Sequence, residues 1–93
     1  MADKRYEEIL LDCGIAMRRI AAWLDDELVL ARNDEGRVYK VGESACRVMI
    51  RPLEARTLGS YKLERTELFV KGDPTAVESF QHLFTLRFMS AGG

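Results

Sequence analysis

The spacing of the apolar residues changes at Gly72-Asp73-Pro74, and this change constrains the fold more than any other feature of the sequence. Before it, the run SYKLERTELFV is rich in β-branched and aromatic residues and predicts a long strand. After it, apolar residues recur every three or four positions, which predicts a helix over about residues 74–89. Aspartate followed by proline is typical of a helix N-cap and first helical position. The helical stripe comprises Val77, Phe80, Leu83, Phe84 and Phe88.

The middle of the chain has the composition of β-strands. LVLAR and RVYKV flank NDEG, which predicts a hairpin. Its loop has four residues, or three with a bulge, and these alternatives place opposite side chains on the core face. The sequence therefore leaves the register of this hairpin open.

The segment ACRVMI alternates in polarity and predicts a further strand. Pro52 is predicted either to end this strand or to place it at a sheet edge. One set of alternate residues should face the core, and the other should face solvent or a partner. The first set is Cys46, Val48 and Ile50, and the second is Arg47, Met49 and Arg51.

The N-terminal segment has two interpretations. Its apolar residues follow a 3.6-residue period and predict one helix over about residues 4–25. The alternative makes residues 7–12 a strand and starts the helix at Gly14. We favour the helix because the period runs unbroken through both halves. The residues of that stripe are Tyr6, Ile9, Leu10, Cys13, Met17, Ile20 and Leu24.

The predicted fold is α+β, in the order α-β-β-β-β-α. A four-stranded antiparallel meander would carry the N-terminal and C-terminal helices on one face, as a two-layer sandwich. At 93 residues the chain predicts a single domain over residues 1–93, with residues 90–93 as a frayed tail. No apolar run approaches the ~18 residues of a membrane span, and no signal-peptide pattern opens the chain, so we expect a cytoplasmic protein.

Residues suited to catalysis or metal binding are sparse. Cys13 and Cys46 are isolated in the sequence, and His82 is the sole histidine, without a ligand-spaced neighbour. Asp73 supplies its own negative charge to the start of the last helix, which disfavours an anion there. Acidic residues 25–27 are expected to face water or to pair with arginines of the sheet. We expect no cofactor and no metal, and the chain favours a non-catalytic protein.

Two surfaces are candidates for binding. The exposed strand arginines Arg47, Arg51 and Arg65 indicate an anion or nucleic-acid contact, although the near-neutral net charge of −1 weakens that interpretation. The outer sides of the two helices carry a second set of apolar residues, which is typical of a covered surface. Those interface candidates are Leu11, Ile15, Ala22, Leu86 and Met89.

The leading functional hypothesis is a small protein-binding domain with a regulatory or accessory role, acting as a homodimer. The first alternative is RNA or other nucleic-acid binding through the arginine-rich outer face of the sheet. The second alternative is a small-ligand binder or an enzyme with a cleft near His82.

Overall fold

The computed structural model describes residues 6–89, which form five strands and two helical segments. The strands are β1 (Glu7–Cys13), β2 (Ala31–Asn33), β3 (Gly36–Val41), β4 (Ser44–Leu58) and β5 (Tyr61–Gly72). The helices are α1 (Met17–Ala22), which continues as a π-helical turn over Trp23–Glu27, and α2 (Pro74–Phe88). The predicted tail at 90–93 lies outside the described residues. Within residues 6–89, no helix is both long and apolar enough to cross a bilayer.

The strands form one antiparallel sheet in the order β1-β5-β4-β3-β2. The predicted combination of an antiparallel sheet with two helices is confirmed, and β2 to β5 follow one another as a meander. A fifth strand, β1, pairs with β5 from Glu7 opposite Gly72 to Cys13 opposite Thr66. The predicted sheet of four strands is therefore one strand short, and the element order is β-α-β-β-β-β-α.

The predicted helix over residues 4–25 is wrong, and the alternative strand over 7–12 is correct. In β1, Ile9 and Leu11 pack towards the core, whereas Leu10 between them is 61% exposed. This alternation is the side-chain pattern of a strand. The run also fits a helical period because β1 has apolar residues on both of its faces. The helix itself begins at Met17.

The core lies between the helices and one face of the sheet. Trp23, on the π-helical turn, joins the two helices, because its ring centroid lies 5.6 Å from Phe80 and 5.5 Å from Phe88. Cys46 and Val48 of β4 are buried and Ile50 packs against the core, so the predicted inward set of this strand is confirmed. The large core side chains without exposed area are Ile20, Leu24, Val48, Leu68, Val70, Val77, Phe80 and Phe84.

One ion pair fastens the helical layer to the sheet. Arg37 of β3 donates from Nε to Asp25 Oδ1 over 2.8 Å and from Nη2 to Asp25 Oδ2 over 2.9 Å. These two hydrogen bonds hold the pKa of Asp25 below its ordinary value. Asp25 therefore pairs with a sheet arginine, as predicted for the acidic residues at this helix end.

The helical segment ends in an unusual backbone conformation. The Leu30 N–H donates to the Leu24 carbonyl over 3.0 Å, a closure similar to a Schellman ending but widened by the π-helical turn. It leaves Val29 at φ 51°, a left-handed position that normally takes glycine. Val29 is also 71% exposed, so burial of its side chain does not compensate for this conformation.

The corner between β5 and α2 forms as predicted. The Asp73 carboxylate accepts a hydrogen bond from the Thr75 N–H over 3.0 Å, and Pro74 opens the helix. Gly72 is required here because its φ is +147° and a Cβ would lie 2.6 Å from the Ala45 carbonyl oxygen. The corner is thus built by self-capping and by a close approach of β5 to β4.

The hairpin between β2 and β3 turns through two residues, Asp34 and Glu35, and is closed by the pairing of Asn33 with Gly36. Neither of the two predicted loop lengths is correct. Gly36 has φ +127° and belongs to the strand rather than to the loop. The shorter turn fixes the register that the sequence left open.

Residues 53–65 of β4 and β5 extend beyond the rest of the sheet as a two-stranded ribbon, which we call the arm. The pairing of β1 with β5 reaches only Thr66, and that of β3 with β4 reaches only Val48. Pro52 therefore lies on an edge of the sheet, as one of its two predicted placements required. At the tip, Leu58 pairs with Tyr61, and both are more than half exposed. The arm gives the molecule its length of 55 Å.

Candidate functional site

The face of the sheet opposite the helices, which we call the open face, carries a row of apolar side chains. Leu10 of β1 lies opposite Phe69 of β5, and Phe69 lies opposite Met49 of β4. We call these three residues the apolar row. Among residues 6–89, no helix packs over it, and it borders a depression of about 480 Å³. The apolar row therefore crosses three strands without a helix over it among these residues. Leu10 is 61% exposed, while Met49 and Phe69 are half-buried.

Charged residues lie on both sides of the apolar row. On one side, Lys71 lies between Glu8 and Arg47 in the register of the sheet. The Lys71 ammonium also lies over the Phe69 ring, 5.6 Å from its centroid, which is a cation–π contact. On the other side, the corresponding residues in strand order are Asp12, Glu67 and Arg51.

Ion pairs within the sheet hold several of these charges in place. Arg65 donates to Asp12, with 3.2 Å between Nε and Oδ1, and its hydrogen bonds lower the pKa of that carboxyl. Arg51 donates from Nε to Glu67 Oε1, and this hydrogen bond likewise lowers the pKa of Glu67. These pairs lie at the surface, so they orient the side chains more than they stabilise the fold.

The three arginines predicted to contact an anion all lie at the open face, and each is paired with an acid. Arg47 pairs with Glu35, Arg51 with Glu67 and Arg65 with Asp12. A phosphate would have to compete with a carboxylate for each guanidinium, which counts against nucleic acid. Nucleic-acid binding nonetheless stays a prediction.

The predicted protein interface placed Leu11 and Ile15 on the outer side of a helix, and this placement is wrong. Leu11 lies on β1 and Ile15 precedes α1, and both pack against the core. Ala22 is exposed at the end of α1, while Leu86 and Met89 are 57% and 60% exposed on and just after α2. These residues do not form the pair of apolar helix faces that the prediction required. Their contact with a partner stays a prediction.

The residues suited to catalysis are not brought together. His82 is exposed on α2, whereas Cys46 is only 4% exposed, within the core. Burial raises the pKa of the Cys46 thiol to about 11, so it is not a thiolate near neutral pH. Cys46 borders a depression of about 290 Å³ that also involves Tyr6, Arg47 and Lys71. Residues 6–89 contain no group of three His, Cys, Asp or Glu placed to hold a metal ion.

Sequence reasoning placed Met49 on the outer face but missed Leu10 and assigned Phe69 no apolar role. The missed signal is the segment Glu8-Ile9-Leu10-Leu11-Asp12, in which an apolar residue interrupts the alternation of charged and apolar positions. In a strand, that exception places Leu10 on the face that Glu8 and Asp12 share.

Comparison with protein-family models, with curated proteins and with solved structures finds no match for this chain.

Proposed function

We propose that this protein is a protein-binding domain with a regulatory or accessory role, and that it binds through the open face of its sheet. The observation that carries the proposal is the apolar row, formed by Leu10, Phe69 and Met49. Its bordering charges resemble the anatomy of a protein interface, which has an apolar centre and a polar rim.

The position of Phe69 supports this proposal. Aromatic residues and methionine are enriched at the centres of protein interfaces, and hot spots of binding lie in such centres. Phe69 is the middle residue of the apolar row, with Leu10 and Met49 on its two sides. A partner that covers Phe69 therefore also removes its two apolar neighbours from water, which favours association.

Site-specific photo-crosslinking tests the proposal. A photoreactive amino acid in place of Leu10, introduced in cells that naturally contain the protein, should give a crosslinked protein adduct. The same group in place of His82, which is exposed on α2, is the matched control and should give little. Adding Phe69→Glu to the Leu10 variant should abolish the adduct, because a carboxylate at the centre of an apolar interface is costly to desolvate.

Circular dichroism must show that the Phe69→Glu variant remains folded. Equal adducts from positions 10 and 82, or adducts that survive Phe69→Glu in a folded protein, would contradict a binding role for the open face.

A further inference from the structure

We infer that the partner on the open face is a second copy of this chain, arranged about a two-fold axis that runs parallel to the strands and passes over Phe69. The inference rests on the proposed function, because it names the occupant of the same face. It begins from the distribution of charge, which differs between the strands of the open face.

On the open face, the acids Glu8 and Asp12 lie on β1 and the arginines Arg47 and Arg51 lie on β4, while β5 between them carries Arg65, Glu67 and Lys71. Glu8, Leu10 and Asp12 are alternate residues of β1, so they share one face of the sheet. Arg47, Met49 and Arg51 are the alternate residues of β4 in the same three registers. β5 lies between these two strands. Glu8 and Asp12 thus lie on one side of the Phe69 position, and Arg47 and Arg51 lie on the other. Within each copy, Asp12 also pairs with Arg65, Arg47 with Glu35 and Arg51 with Glu67.

A two-fold axis parallel to the strands exchanges these two sides. It places β1 of one copy over β4 of the other, so that Glu8 faces a second copy's Arg47 and Asp12 faces its Arg51. Each contact occurs twice by symmetry, which gives four pairs of opposite charge. The same operation places Leu10 over Met49 and brings the two Phe69 rings together at the axis. At the positions of β1 and β4, the open face is complementary to itself in both charge and polarity.

The other simple two-fold axis runs perpendicular to the strands, and it does not place acids of β1 over arginines of β4. It places Glu8 over Asp12 and Arg47 over Arg51, so that like charges face each other at four positions, which is destabilising. Only Lys71 and Glu67 would face opposite charges in that arrangement. In the parallel arrangement, Lys71 faces the second copy's Lys71 and Glu67 faces its Glu67, so two contacts between like charges stand against four between opposite charges. The balance of charge favours the axis parallel to the strands.

The size of the face is adequate for such a dimer. Four strands about 4.8 Å apart and about seven residues long give a flat area of about 500 Å² per copy. The two copies would bury about 1,000 Å² together, close to the lower limit for a specific interface. We therefore expect a dimer of moderate affinity, with a dissociation constant in the micromolar range.

A charge exchange between two variants tests the arrangement. Analytical ultracentrifugation over about 1–200 μM should show the wild-type protein as a dimer in equilibrium with its monomer. Glu8→Arg and Arg47→Glu should each weaken self-association at least about ten-fold, because each places like charges together twice.

An equimolar mixture of the two variants should form a heterodimer. In one of its two contacts the introduced arginine faces the introduced glutamate, and the other contact keeps the natural pair of Glu8 with Arg47. The heterodimer should therefore dissociate within about three-fold of the wild-type constant.

Glu78→Arg is the control, because Glu78 is exposed on α2 and the same charge reversal there should leave the dimer unchanged.

A wild-type protein that stays monomeric at 200 μM, about the top of the tested range, would overturn the inference. So would a dimer that both charge reversals leave intact. A dimer that Phe69→Glu disrupts but that the mixed variants do not restore would overturn the two-fold arrangement, while the open face would stand as the binding surface. Crosslinking of position 10 to a different protein would likewise overturn the two-fold arrangement, while the open face would stand as the binding surface.

Discussion

The two faces of one sheet differ in their cover and in how far their apolar residues extend. Val48 and Val70 are fully buried under the helices, whereas their chain neighbours Met49 and Phe69 lie on the open face. The covered face is apolar along the core, whereas the open face has a single apolar row between charged residues. The helices cover one face, and no helix of residues 6–89 covers the other, which is the face that we propose binds a partner.

The charged residues of the two faces differ in the same way. Arg37, on the covered face, reaches out of the sheet to Asp25 in the helical layer. Arg51, on the open face, binds Glu67 within the sheet surface. A charge on the covered face therefore joins two layers, whereas charges on the open face only border the apolar row. Three sets of substitutions, taken from the largest expected effect to the smallest, test how far this difference extends.

Replacing a phenylalanine on each side should give the largest contrast. Phe80→Ala should lower the free energy of unfolding by about 3–5 kcal/mol, because it leaves a cavity in a core that excludes water. Phe69→Ala should lower it by only about 1–2 kcal/mol, since that ring is half-buried and its removal leaves no enclosed cavity. Urea unfolding at about 0.1 μM protein, well below the micromolar dissociation constant expected for the dimer, measures both values in the monomer. Equal losses from the two variants would remove the distinction between the faces.

The Arg37–Asp25 pair should give an intermediate, pH-dependent effect. Asp25→Asn should cost about 1.5–2 kcal/mol at pH 7, because it replaces charge-assisted hydrogen bonds with weaker ones. The folded pKa of Asp25 is lowered, so its stabilising contribution is present above the unfolded value of about 3.9. That contribution is lost as the pH falls through the folded pKa.

Urea unfolding of both proteins at several pH values checks this sign. The difference in unfolding free energy between wild type and Asp25→Asn should shrink towards zero as the pH falls below the ordinary aspartate pKa of about 3.9 and through the lowered folded pKa. Asp26→Asn, at the exposed neighbouring position, is the control and should leave the wild-type profile unchanged. A difference that stays constant from neutral to acid would show that the ion pair does not fasten the helical layer.

Substitution of Val29, at the end of the helical layer, should have the smallest effect on the free energy of unfolding. This effect should be stabilising rather than destabilising. Val29→Gly should raise the free energy of unfolding by about 0.5–1 kcal/mol, because relief of the left-handed strain exceeds the added freedom of the unfolded chain. Val29→Ala keeps the Cβ, so it should change stability much less. Thermal and urea unfolding of the two variants test the ranking, and a Val29→Gly protein less stable than Val29→Ala would refute it.

The C-terminal half of the fold could be predicted because its local signals agree with one another. Asp73, Pro74 and the stripe that follows all predict a helix start at the same place. The inward and outward sets of β4 were predictable too, because charge alternates with hydrophobicity around Val48. In both segments, one side of the element is polar, and the period is therefore unambiguous.

The N-terminal half could not be predicted in the same way. Leu10 is an apolar residue between Glu8 and Asp12 on the open face, so it interrupts the alternation that distinguishes a strand from a helix. The residue that conceals the strand is the same one that begins the apolar row. The candidate site was missed for that reason, and the charge pattern of the open face became visible only when the register of β1 against β5 was known.

The arm allows the two possible symmetries of a dimer to be distinguished by measuring a distance. Its tip at Gly59 is open, because a Cβ there would meet no atom within 4 Å, and it lies far from the apolar row. A two-fold axis parallel to the strands sends both tips out of the same end of a dimer, close together. An axis perpendicular to the strands sends them to opposite ends. The distance between spectroscopic labels at the two tips would therefore show which of the two axes relates the molecules of the dimer.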